Sequence, residues 1–138
     1  MSIIKSSLVA ENPTTGKYIQ LWKLDTESAT VIHYDETTGK TKSYTFHTDY
    51  IKYHVHYVAA KHPERFQKVV DDGTILDYLN DLEERAVDAV ERQVERWKQN
   101  DKEYQLAVMN GDTMKQVGLL NNMSYMAREI IFDCMIYV

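Results

Sequence analysis

One cysteine, no long apolar run and no excess of positive charge mark this 138-residue chain. The single cysteine, Cys134, excludes an internal disulfide and a cysteine-based zinc site, and it fits a reducing cytoplasm. No apolar stretch approaches the roughly 18–20 residues that a membrane-spanning helix needs. The opening residues, Ile3-Ile4-Lys5-Ser6-Ser7-Leu8 among them, hold no sustained apolar core, so no secretory signal is expected. Sixteen Lys and Arg against twenty-one Asp and Glu leave a net charge of −5. A broadly basic nucleic-acid-binding domain would instead have a pI above about 9. Linkers and low-complexity segments are also missing, so one α+β domain over residues 1–138 is expected. What is present is an apolar fraction of 43%, enough to build a core and to exclude wholesale disorder.

The negative charge is concentrated. In residues 1–60 six Lys balance six acids, whereas residues 61–138 hold ten bases and fifteen acids. Eight of those acids, Asp71, Asp72, Asp77, Asp81, Glu83, Glu84, Asp88 and Glu91, fall within residues 71–91, where Arg85 is the one base. That segment is either a solvated helix face or a working surface, and its acids are the candidate partner-binding residues.

Periodicity divides the chain into a β part, 1–46, and a helical part, 48–138. Leu8–Ala10, Tyr18–Leu24, Thr30–Tyr34 and Ser43–Phe46 are rich in β-branched and aromatic residues and read as antiparallel strands of a meander. Asn12-Pro13-Thr14-Thr15-Gly16-Lys17 and Asp35-Glu36-Thr37-Thr38-Gly39-Lys40 share the chemistry of hairpin loops in which a glycine takes the left-handed conformation. Ile51, Val55 and Val58, at i, i+4 and i+7, predict a helix from about Thr48 or Asp49 to His62. Pro63 then opens a short helix to about Val70. Asp72-Gly73 is a turn with Thr74 as candidate N-cap, and a long helix follows from Ile75 to about Gln99 on the stripe Leu79, Leu82, Ala86, Val90, Val94 and Trp97. Asn110-Gly111-Asp112 breaks the pattern before a second long helix with the stripe Met114, Val117, Leu120, Met123, Ala127, Ile130/Ile131, Cys134 and Tyr137. The expected fold is therefore α+β, an N-terminal antiparallel β meander followed by a helical bundle with two long helices.

The charges of the first long helix do not look tuned for its stability alone. Asp81/Arg85 and Asp88/Arg92 are favourable i, i+4 pairs worth about 0.2–0.5 kcal/mol each. Glu84/Asp88 and Glu91/Glu95 are like-charged pairs that oppose them by similar amounts.

Catalytic motifs are scarce. Gly39-Lys40-Thr41 resembles the tail of a phosphate-binding loop, but Tyr34 stands where that loop needs its first glycine, so a hairpin turn is expected. His47, His54, His56 and His62 lie close together in sequence, yet on a helix His54 and His56 point about 200° apart, and no carboxylate completes a metal set. Cys134 sits on an apolar stripe and reads as a buried core cysteine. Tyr44, Phe46, Tyr50, Tyr53 and Tyr57 form an aromatic band suited to stacking on unpaired bases, but only Lys40, Lys42 and Lys52 accompany it, and packing accounts for it more simply. No metal, no cofactor and no enzymatic activity are expected.

Residues 57–138 resemble the transposon-encoded protein TnpV family. One block runs from His62-Pro63-Glu64-Arg65-Phe66 through Asp72-Gly73-Thr74-Ile75-Leu76 into Tyr78-Leu79-Asn80-Asp81-Leu82-Glu83-Glu84-Arg85-Ala86. The other joins Asp112-Thr113-Met114-Lys115-Gln116-Val117-Gly118 to Asn121-Asn122-Met123, Ala127-Arg128-Glu129-Ile130-Ile131 and Ile136-Tyr137. Gln116, where the family often has Trp, and Leu119, Ser124 and Met126, where it is often basic, are departures. The β meander of residues 1–46 has no counterpart in the resemblance. The resemblance implies an accessory protein of a mobile genetic element and assigns no catalytic residue.

Sign of charge and resemblance together lead to a non-enzymatic, macromolecule-binding protein. The expectation is an inhibitor of the anti-CRISPR type, whose acidic helix occupies the nucleic-acid channel of a host defence nuclease as a mimic of phosphates. The alternative is a DNA-associated transposon accessory factor touching DNA through Arg92, Arg96 and Lys98. A protein partner is favoured over direct nucleic-acid binding, no membrane contact is expected, and the oligomeric state is left open.

Overall fold

The computed structural model describes residues 3–138. Six short strands come first: β1 (Ile3–Lys5), β2 (Val9–Glu11), β3 (Tyr18–Gln20), β4 (Trp22–Asp25), β5 (Thr30–Asp35) and β6 (Lys40–Thr45). Five helices follow: α1 (Asp49–Lys61), α2 (Pro63–Asp71), α3 (Ile75–Asn100), α4 (Lys102–Met109) and α5 (Thr113–Ile131). A π-helical turn, Phe132–Ile136, continues α5. The architecture is α+β, with an antiparallel β region before a helical part in which α3 and α5 are long. The chain forms two compact units, one running to Glu83 and taking in Tyr137, the other holding Glu84–Ile136 and Val138.

In the first unit the strands pair as a four-stranded sheet in the order β1-β4-β5-β6 and a separate β2-β3 ribbon, all antiparallel. The run Tyr18–Leu24, expected as one strand, is divided at Leu21. The Leu21 N–H donates to the carbonyl of Leu8, the residue before the ribbon, while its carbonyl accepts from Tyr34 N–H of the sheet, each at 2.9 Å. One residue thus hands the chain from one set of partners to another, which no local propensity encodes. β1 was not expected either; three residues are too few for a period to register.

Turn chemistry recurs three times in this unit. Asn12 Oδ1 accepts from Thr14 N–H at 2.9 Å, Asp25 Oδ1 from Glu27 N–H at 3.0 Å and Asp35 Oδ1 from Thr37 N–H at 2.9 Å. Four residues after each of these polar residues the backbone turns left-handed, at Gly16 (φ 71°), Ala29 (φ 53°) and Gly39 (φ 69°). The first and third loops are the two hairpin loops expected from the sequence. The second is a loop of the same design with alanine, fully buried, in the glycine position.

The core of this unit joins the sheet to three helical segments. Leu24 and Val31 from the sheet, Ile51, Val55 and Val58 from α1, Phe66 and Val70 from α2, and Ile75 and Leu79 from the start of α3 are all essentially inaccessible to solvent. Each such side chain contributes roughly 1.5–3 kcal/mol by leaving water. His54 is buried among them, its Nε2 2.7 Å from the Tyr78 hydroxyl and its ring edge-on to Phe66. α2 covers the β1 edge of the sheet. Gln67 donates its amide to the Lys5 carbonyl at 2.8 Å, and Asp71 accepts from Ser7 N–H at 2.8 Å.

In the second unit, Asp101 and Asp112 cap α4 and α5 through their carboxylates, accepting from Tyr104 and Lys115 N–H respectively. α4 was not expected, because its eight residues begin immediately after α3 and are marked by little beyond the Asp101 cap. The buried residues here are mostly small or flexible: Ala86, Val90, Ala107, Met123, Ala127, Ile131 and Ile136. Of the expected stripe Met123, Ala127 and Ile131 are buried, whereas Ile130 and Tyr137 are exposed. Met114 and Val117 are exposed, Met114 at 88%, because they lie beside the α4–α5 turn at the tip of the helical hairpin. Cys134, expected in the core, is also exposed. The π-helical turn explains the correction: its wider winding advances the buried phase from Ile131 to Ile136, five residues on, and turns Cys134 outward.

Candidate functional site

Six of the eight candidate acids lie on α3, and their spacing sorts them. Asp77, Asp81, Glu84, Asp88 and Glu91 follow alternating steps of four and three, and Glu95 continues the series. At 3.6 residues per turn these six fall within about 80° of the helix circumference and extend for ~27 Å. The apolar residues Ile75, Leu79, Leu82, Ala86 and Val90 occupy the opposite side of the same helix. Burial of that side fixes the rotation of α3 and so turns the carboxylates outward. Asp77, Asp81, Glu84, Glu91 and Glu95 are exposed and Asp88 is half-buried.

Within the helix the stripe is only partly neutralised. Arg92 pairs with Asp88, and Lys98 lies 3.5 Å from Glu95. Exposed pairs of this kind contribute about 0–1 kcal/mol. Neighbouring carboxylates one turn apart repel each other by a few tenths of a kcal/mol.

The other candidates have different positions. Asp72 is exposed at the C-terminal end of α2. Asp71 accepts from Ser7 N–H and from the Gln67 amide, and these bonds hold its carboxyl below the usual aspartate range. Glu83 faces away from the stripe and accepts from the Thr48 hydroxyl through Oε2 at 2.7 Å. Thr48 stands at the N-cap of α1 but makes no capping bond with its side chain. The structure therefore gathers Asp77, Asp81, Glu84, Asp88 and Glu91 on one face, adds Glu95, and gives Asp71 and Glu83 internal partners. The step from Glu91 to Glu95 was the sequence signal for the added residue.

Among the remaining candidates, Lys98 also lies 5.6 Å from the Tyr104 ring centre, over its face. His56 is exposed, its Nε2 3.1 Å from the Glu27 carbonyl oxygen, and so points away from the buried His54. His62 lies 3.6 Å from Glu64. Among the described residues no cluster of three or more His, Cys, Asp or Glu is placed to hold a metal ion. Of the aromatic band, Phe46 is buried, Tyr50 and Tyr57 are half-buried, and Tyr44 and Tyr53 are exposed. Among the described residues no helix is long and apolar enough to cross a membrane.

Two hollows of the first unit are large enough to receive a ligand group. One, of about 810 Å³, opens between the loops at Asn12–Thr14 and Glu36–Gly39. The other, of about 560 Å³, lies between the end of β6 with the following linker, Tyr44 to Thr48, and the residues Leu76, Asn80 and Glu83 of α3.

The family model described as "Transposon-encoded protein TnpV" matches residues 36–136. The match begins before β6 and takes in α1, so it extends beyond the helical segment that carried the sequence resemblance and includes part of the β region. No curated protein and no solved structure matches the chain.

Proposed function

Because this chain belongs to the TnpV family of transposon-encoded proteins, we propose that it is a non-enzymatic accessory protein of a mobile element and that it acts by binding another macromolecule. The observation that carries the reading is the carboxylate stripe of α3. Evenly spaced acids on the face opposite the apolar seam repel one another, weaken the helix locally and make a sustained negative potential along one line. A partner with a basic groove would relieve that repulsion on binding, and long-range attraction would speed the encounter.

The more specific form of this reading is an inhibitor that lays the stripe into the nucleic-acid channel of a host defence nuclease. A channel lined by Lys and Arg for phosphates is already suited to a row of carboxylates. The DNA-binding alternative has less support, because on α3 seven acids outnumber the four bases Arg85, Arg92, Arg96 and Lys98.

Affinity capture from a bacterial lysate, with the full chain as bait, tests both forms. We expect a partner with a basic nucleic-acid channel, and we expect the combined change Asp77→Lys, Asp81→Lys, Glu84→Lys and Asp88→Lys to release it. Capture that survives the charge reversal would remove the stripe as the interface. Tight binding of the wild-type chain to duplex DNA, with a steep salt dependence, would favour the alternative.

A further inference from the structure

We propose that the groove between the β6–α1 linker and the first turns of α3 receives the guanidinium group of an arginine side chain presented by a protein partner. The proposal rests on the docking role of α3 and specifies what that partner brings to it.

The groove has an aromatic side and an acidic side. Tyr44 and Phe46 line it from the end of β6 and the linker, and Leu76, Asn80 and Glu83 line it at i, i+4 and i+7 of α3. Its volume of about 560 Å³ leaves room for a long side chain. Glu83 is half-buried there rather than free in solvent, and the Thr48 hydroxyl holds its Oε2 at 2.7 Å. That bond fixes the carboxylate and leaves Oε1 for a second donor. Asn80 adds an amide that can also accept.

A guanidinium meets these features better than an ammonium does. It is planar, so it stacks on an aromatic ring, and its forked N–H groups can engage a carboxylate and a neighbouring acceptor together. The surroundings favour a cation as well. Asp77, Asp81 and Glu84 each follow a groove-lining residue of α3 by one position, so the stripe borders the groove along its length. Its field concentrates cations at the entrance, while the half-buried carboxylate supplies the directed bond.

The test uses the full ¹⁵N-labelled chain at pH 7.5 and an N-acetylated, C-amidated Gly-Arg-Gly peptide, followed by amide chemical shifts. We expect saturable shifts centred on Tyr44–Thr48 and Leu76–Glu83. The same peptide with citrulline, which keeps the shape and removes the charge, should produce none. Glu83→Gln retains an acceptor for Thr48 and should weaken binding about tenfold, the effect of losing one charge-assisted bond. Tyr44→Leu should weaken it as well, with unchanged spectra elsewhere showing that each variant is folded. Equal shifts from arginine and citrulline peptides, shifts confined to the outer face of α3, or full binding by Glu83→Gln would overturn the proposal. The two readings separate cleanly. Partner capture lost on stripe reversal, with no Glu83-dependent arginine binding, leaves the docking role standing and removes the groove. Glu83-dependent arginine binding with capture unchanged by reversal does the opposite.

Discussion

At the scale of single residues, the demands on this chain are set by backbone conformation and by near neighbours. Gly16 and Gly73 are both left-handed, with φ of 71° and 74°, but their surroundings differ. A Cβ at Gly16 would meet nothing within 4 Å, whereas one at Gly73 would stand 2.9 Å from Nε1 of Trp22. That indole is half-buried and stacked on His33 at 4.0 Å between ring centres, so withdrawing from a new Cβ would disturb the stack. Gly16→Ala should therefore cost about 1 kcal/mol of conformational strain alone. Gly73→Ala should cost about 2–4 kcal/mol, because overpacking is added to strain. Chemical denaturation of the two variants compares them directly, and equal losses would mean that Trp22 yields without cost. Ala29 shows the same conformation borne by a residue that rarely adopts it, held in place by burial and by the Asp25 turn before it.

At the scale of elements, the joint between β1 and α2 depends on a charge. The bonds to Asp71 from Ser7 N–H and Gln67 favour its ionised form and lower its pKa from the ordinary value of 3.8. A carboxyl lowered in the folded state adds stability that is complete above the unfolded pKa and disappears as pH falls through the folded one. Asp71→Asn keeps an acceptor but cannot titrate. The wild-type chain should thus melt at higher temperature than the variant at pH 7, and the gap should narrow as pH falls below the ordinary value of 3.8. A gap independent of pH in thermal melts would contradict a role for the charge. Asp35, lowered mainly by the Thr37 N–H bond, adds a wild-type slope of the same sign that is common to both proteins.

Elements were legible in the sequence where their determinants are local. Asn12 with Gly16 and Asp35 with Gly39 announce their loops within five residues, and Pro63 announces α2 at its first position. The third loop was hidden because alanine occupies the position where glycine would have marked it. The division at Leu21 depends on Leu8 and Tyr34, thirteen residues away in each direction, and so left no local trace. Cys134 was misplaced because the periodicity assumed 3.6 residues per turn through a segment that winds more widely. The candidate site divides in the same way. The outward carboxylates follow from α3 periodicity, whereas the internal engagements of Glu83 with Thr48 and Asp71 with Ser7 span 35 and 64 residues. The groove beside Glu83 was out of reach for that reason.

At the scale of the whole molecule, stability should be uneven. Ten of the eleven largest fully buried side chains, Phe66, Leu24 and Ile51 among them, belong to the first unit, and Ile136 is the one in the second. The second unit relies on alanines and on Met123, Val90 and Ile131, and exposes Met109 at 80% and Met114 at 88%. Amides of α4 and the first turns of α5 should exchange with solvent at least about tenfold faster than those of β4, β5 and α1, which is a difference of ~1.4 kcal/mol in opening free energy. Uniform protection across both units in hydrogen exchange would contradict this distribution.

The tie between β1 and α2 also bears on how the chain is made. Lys5 and Ser7 emerge from the ribosome long before Gln67 and Asp71, their partners 62 and 64 residues downstream. Synthesis proceeds at about 5–20 residues per second, so the leading strand waits several seconds for the helix that covers it. β1 can pair with β4 within that time, but its outer edge stays open and is a template for another nascent chain. The length of that interval, rather than the strength of the finished contact, sets the exposure of the newborn protein to misassembly. A slow stretch of translation placed between β1 and α2 would lengthen it.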